Sequence, residues 1–152
     1  MVSALGGADP ASVSRLGGAL RSEAAALARQ AHDLAPGRRL ATVTHAVSAH
    51  LDLAGAALQA HAQELAELAV VAERLGSRTA ASGLALQGWR VAEPYGPTST
   101  EEAARRQADL PDLQAQADRL ASRMGRSRAA LERALGSVTT ALAASTHGLD
   151  AL

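Results

Sequence analysis

The side chains able to do chemistry are few and widely spaced. Five histidines are present, and histidines gathered on one helical face are a simple way to hold a transition metal. His45 and His50, however, stand five residues apart and do not share a helical face well. His61-Ala62-Gln63-Glu64 reverses the Glu-x-x-His order that builds di-metal carboxylate sites in four-helix proteins, and His61 falls within an apolar seam. A hydrolytic serine needs a strained turn such as Gly-x-Ser-x-Gly. The chain has none, nor a glycine loop of the kind that cradles phosphates or dinucleotides. Without cysteine there is neither thiolate chemistry nor a disulfide framework. No catalytic, metal-ligating or cofactor-binding residue is assigned, no cofactor is expected, and the chain reads as a non-enzyme.

Chemistry of recognition is better represented. Trp89 and Tyr95 are the only large aromatic residues, and both lie in a segment rich in glycine and proline. Tryptophan, tyrosine and arginine are the residues most enriched at binding hot spots, so Trp89, Arg90 and Tyr95 are the candidate partner-binding residues. The alternative is that Trp89 plugs the open end of a bundle. Arg119, Arg123, Arg126, Arg128 and Arg133 form a second cluster suited to phosphates. That cluster has no neighbouring aromatic for base stacking, and the formal net charge of the chain is zero. The basic footprint of a nucleic-acid binder is therefore absent, and nucleic acid is not the expected partner.

The elements that must position these residues are helices. In 152 residues, 47% are hydrophobic, yet phenylalanine and isoleucine are missing and much of the apolar content is alanine. Burial yields roughly 25 cal/mol per Å² of apolar surface, so a seam of alanine and leucine makes a thin core that needs close helix packing or self-association. One helical domain is expected. Its first helix, about 10–34, starts at the N-cap Asp9 with Pro10 next. Val13, Leu16, Leu20, Ala24, Leu27, Ala31 and Leu34 form its stripe. Gly17-Gly18 reads as a close helix contact, and Pro36-Gly37 ends the helix.

The second helix, about 38–82, carries the most regular pattern. Leu40, Val43, Val47, Leu51, Ala54, Leu58, His61, Leu65, Leu68, Ala72 and Leu75 form a heptad seam suited to antiparallel coiled-coil-like packing. From 84 to 91 the period changes, and the segment is either a small β-hairpin turning at Gln87-Gly88 or an irregular loop. A capping box of Ser99 and Glu102 opens the third helix, about 99–148. Its stripe runs Leu110, Leu113, Ala117, Leu120, Met124, Leu131, Ala134, Val138, Leu142, Ser145 and Leu149, with a break or kink expected near Pro111.

The short Pro36-Gly37 connection makes the first two helices antiparallel, bringing Leu27 near Val47, Leu20 near Ala54 and Leu16 near Leu58. At about 1.5 Å per residue the first helix covers only half of the second. Charge then orients the third. Arg119 and Arg123 fall level with Glu64 and Glu67, and Arg133 with Asp52. The expected architecture is all-α: an elongated antiparallel three-helix bundle or helical hairpin with a projecting loop tip that carries Trp89 and Tyr95.

All fifteen basic residues are arginine, and lysine, isoleucine, phenylalanine and asparagine are absent. This usage resembles that of high-GC bacterial genomes, actinobacteria among them. Ala8-Asp9-Pro10 opening a leucine heptad helix, a short turn, and an alanine-rich second helix ending near Leu75 resemble the WXG-type helical hairpins associated with type VII secretion in actinobacteria. The resemblance covers residues 8–80. It implies a small protein that lacks a signal peptide, pairs as a helical dimer, and is secreted or accompanies secreted proteins. Two features depart from the family pattern: the inter-helix turn is Pro36-Gly37-Arg38-Arg39 rather than Trp-x-Gly, and Ser99 stands where the export motif counted from Tyr95 needs an acid.

Residues 1–9 have neither a basic n-region nor an apolar h-region. The longest charge-free run, 134–149, falls short of the ~20 apolar residues that span a bilayer. The chain is thus expected in the cytoplasm, or exported without a classical signal peptide, with no membrane insertion. Its expected partner is another protein or a second copy, as a homo- or heterodimer. The leading functional expectation is a helical interaction or adaptor protein, an accessory or substrate of a type VII-like secretion or cell-envelope system. A self-assembling coiled-coil scaffold and a helical nucleic-acid-associated regulator are the alternatives.

Overall fold

The computed structural model describes residues 9–33 and 38–150, with the side chains of 38, 39 and 146–150 left aside. The expectations for the N-terminus, for Leu34, for the Pro36-Gly37 turn and for the Leu149 side chain lie outside the described residues. The fold is all-α with one small sheet. Helix α1 (Pro10–Asp33) and helix α2 (Arg38–Ala81) precede strands β1 (Ala85–Gln87) and β2 (Arg90–Ala92), and helix α3 (Thr100–Asp150) follows. Contacts group these elements into two compact units, Glu64–Ser127 and a second made of Asp9–Gln63 with the chain from Arg128 on.

In the second unit, α1 begins where Asp9 caps it. The Asp9 carboxylate accepts bonds from the amides of Ala11 at 3.3 Å and Ser12 at 3.0 Å, satisfying donors that a helix start leaves open. Its pairing with α2 is antiparallel. The Ser48 hydroxyl donates to the Ala24 carbonyl at 2.8 Å, Arg21 Nε donates to Asp52 Oδ1 at 2.8 Å, and Gly17 meets Gly55. This register lies one to two residues from the expected one.

The expected stripe of α1 is buried at Ala24 and Ala31 but not at Leu16, Leu20 or Leu27, and Gly17 makes the expected close helix contact. Ala24 and Ala31 are 2% and 1% exposed and Gly17 is buried with them, whereas Leu16 is 55% exposed. The cause is the close approach of α1 and α2. A Cβ on Gly17 would lie 2.8 Å from the Gly55 carbonyl oxygen and 2.9 Å from Gln59 Cγ. At that separation only the smallest side chains fit between the helices, and the leucines move to the flanks. Asp52 bonds Arg21 of α1 in place of the expected level pairing with Arg133.

The first unit holds the larger core. Leu68, Ala72 and Leu75 of α2 pack with Leu84, Val91 of β2, and Leu113, Ala117 and Leu120 of α3. The α2 and α3 members are positions of the expected heptad seam and α3 stripe. Helix α2 ends in a Schellman motif. The Leu84 amide donates to the Thr79 carbonyl, the Gly83 amide to that of Ala80, both at 2.9 Å, and Gly83 takes the left-handed φ of +69°.

At the start of α3 the Ser99 hydroxyl accepts from the Glu102 amide at 3.2 Å. The Glu102 carboxylate does not complete the expected reciprocal box; it binds the Thr98 hydroxyl and Arg106 instead. Pro111 lies inside α3 without breaking it. A proline in a helix interior costs about 3 kcal/mol, and the burial of Leu113, Ala117 and Leu120 on the same helix, with Leu110 packed against them, offsets that cost.

Candidate functional site

The segment 84–92 is the hairpin alternative of the sequence reading. β1 and β2 pair antiparallel, Ala85 with Ala92, Leu86 with Val91 and Gln87 with Arg90. The two turn residues are therefore Gly88 and Trp89, one place further on than the expected Gln87-Gly88. Gly88 has a φ of +60° and Trp89 a negative one. That combination matches a type II′ turn, whose first central residue is glycine and whose twist suits a hairpin.

So short a hairpin is marginal alone, and it is held by α3. Gln114 reaches up with both ends of its amide. Its Oε1 accepts from the Val91 amide at 2.8 Å, and its Nε2 donates to the Trp89 carbonyl at 3.2 Å and to Asp118 Oδ1 at 2.7 Å. Val91 is buried and the Trp89 ring packs against the same core while remaining half-exposed. Trp89 is thus partly covered by the core and partly open.

Trp89 and Arg90 line one open depression of about 610 Å³, together with Gln87, Val91, Leu110 and Gln114. Tyr95 is fully exposed and does not line it. The structure therefore brings two of the three candidate residues together and leaves the third apart. Gln114 is the contributor that residue type did not flag. Its signal was spacing, because it follows Leu110 by one helical turn on the inward side of α3.

The arginine cluster is divided in use. Arg123 forms a fork to Glu64 through Nε and through a second nitrogen at 2.9 Å, and it also reaches Glu67 at 2.7 Å. These hydrogen bonds hold its guanidinium above the ordinary arginine value, Glu64 contributing most. Of the two arginines expected level with Glu64 and Glu67, Arg123 meets both and Arg119 bonds neither. Arg128 pairs with Glu132 on its own helix. Among the described residues, no three histidine, aspartate or glutamate side chains gather in a way that would hold a metal ion, and no helix is long and apolar enough to cross a membrane. No family model, curated protein or solved structure matches the chain.

Proposed function

We propose that this chain is a non-enzymatic helical interaction protein that captures a protein partner at the hairpin, with Trp89 and Arg90 as the principal contacts and Tyr95 as a peripheral one. The observation that carries the reading is the half-exposed Trp89, its backbone carbonyl held by Gln114 and its ring packed against the core, lining a depression that Arg90 also lines. A rigid aromatic anchor beside an arginine is the composition of a hot spot, and fixing it in advance lowers the ordering cost of binding. The resemblance of residues 8–80 to WXG-type hairpins supports placing the protein with a type VII-like secretion or cell-envelope system, as an accessory or substrate, in the cytoplasm or exported without a classical signal peptide.

The test is partner capture from an actinobacterial lysate by wild type and by Arg90→Ala/Tyr95→Ala and Trp89→Ala variants of matched helicity. Loss of a specific partner supports the reading; capture unchanged in every variant overturns it. A self-assembling scaffold is the second reading, favoured by Leu53, which is 60% exposed on α2. Light scattering separates the two, since higher-order assembly favours the scaffold and a discrete monomer or dimer the adaptor.

A further inference from the structure

A second surface, away from the hairpin turn, has a composition that specifies its occupant. Between α2 and α3 of the first unit runs a groove of about 340 Å³. Its floor is apolar, made by Val71 and Leu75, one turn apart on α2, and by Leu120 of α3. Its rim is cationic: Arg74 and Arg78, also one turn apart, stand on α2 and Arg119 stands on α3. No acidic residue lines it. Arg78 is held in place by Gln116 at 2.7 Å and by Asp112 at 3.6 Å. Among the described residues, Arg74 and Arg119 have neither a hydrogen bond nor an ion pair, in contrast to Arg123 one turn along, which is saturated by two glutamates. Val71 is 38% exposed, whereas Leu75 and Leu120, at 3% and 8%, leave only a small part of their surface in the groove.

We infer that this groove docks an acidic amphipathic helix of a partner protein, the apolar stripe of that helix lying on Val71, Leu75 and Leu120 and its carboxylates meeting Arg74 and Arg119. Charge complementarity decides the occupant. Two arginines without counter-charge on opposite banks of an apolar trough call for acids on both flanks of an apolar stripe, and a helix in a groove presents that pattern. Nucleic acid fits less well, since phosphates gain nothing from the apolar floor and no aromatic lies there for base stacking. Docking here rests on the same reading of the chain as an interaction protein but on a different surface from Trp89.

The test uses a fluorescein-labelled peptide with a leucine stripe flanked by glutamates, titrated with the full chain and followed by anisotropy. A control peptide carries lysine for each glutamate. Binding of the acidic peptide is expected, about tenfold or more weaker for Arg74→Gln/Arg119→Gln and falling with salt as rim charges are screened. Val71→Ser is expected to weaken it independently of salt. Arg90→Ala, at an exposed hairpin position that does not line the groove, should leave it unchanged, which separates failure here from failure at the hairpin. Three outcomes overturn the proposal: equal binding of the lysine peptide, no loss in the double arginine variant, or displacement of the peptide by duplex DNA. A wild-type dimer that dissociates on Arg74→Gln/Arg119→Gln overturns it too, by showing that a second copy fills the groove.

Discussion

Gly17 and Gly55 meet backbone to backbone, so near that a Cβ on Gly55 would stand 2.6 Å from the Gly17 carbonyl oxygen and 2.5 Å from Arg21 Cγ. The contact explains why α1 buries alanines in place of leucines. Alanine at either position should destabilise the protein by about 1–3 kcal/mol, because the helices must part to admit the methyl group. Gly18 is the control: a Cβ there meets only Gln59 Nε2, at 3.8 Å. Gly18→Ala should be neutral or stabilising by up to about 1 kcal/mol, the ordinary gain of alanine over glycine in a helix. Urea unfolding followed by circular dichroism distinguishes the three variants. Equal behaviour of Gly17→Ala and Gly18→Ala would contradict the crossing.

Arg123 should act as one cooperative site with Glu64. Arg123→Gln and Glu64→Gln are each expected to lower the melting temperature by a few degrees, and the double variant by less than the two together, since either single change already removes the fork. Glu67→Gln should show a smaller effect, because Arg123 retains its fork to Glu64. Additive shifts in the Arg123/Glu64 cycle would show that the fork does not persist in solution.

The hairpin depends on the left-handed Gly88. Space is open around it, with nothing within 4 Å of a Cβ, so the cost of Gly88→Ala is conformational, about 1–2 kcal/mol. Gly88→Asn should cost less, since asparagine visits that region more readily. Trp89 emission should shift to the red for the alanine variant and stay near the wild-type value for asparagine.

The N-cap of α1 gives a pH signature. Asp9 accepts the Ser12 hydroxyl and the amides of Ala11 and Ser12, and these bonds hold its carboxyl below the ordinary 3.8. A lowered folded value means that this contribution is fully present above 3.8 and disappears as pH falls through the folded value. Asp9→Asn keeps an acceptor but does not titrate. The stability advantage of wild type over Asp9→Asn, measured by thermal unfolding, should be constant at neutral pH and shrink in acid; an advantage that grows in acid would refute the assignment.

The α2 seam was legible because its leucines are large and recur at heptad spacing, so Leu58, Leu65, Leu68 and Leu75 declare one face. Pattern reading gave size the same weight on α1, where closeness decides. Ala24 and Ala31 were legible in the stripe and Gly17 as a close contact, but that these three small residues, recurring every seven, would displace the leucines beside them was not. Arg123 could be placed opposite Glu64 because an antiparallel return fixes the level of each turn. The competition of Arg21 for Asp52 needed the actual distance between helices. Local rules likewise offered a break or a kink at Pro111, and the break is absent because burial on the same stripe holds the helix continuous. At the candidate site, residue type pointed to Trp89 and Arg90, while Gln114 is a glutamine like any other until the hairpin lies above it.

Trp89 is the only tryptophan in the chain, and it belongs to the Glu64–Ser127 unit. Its fluorescence therefore watches that half of the molecule, whereas far-ultraviolet ellipticity sums over every helix. Superimposable melts from the two signals would mean that the halves share one cooperative transition; a gap between them would mean that each has its own. The chain thus carries an intrinsic reporter of whether its long helices bind the two halves into one thermodynamic body.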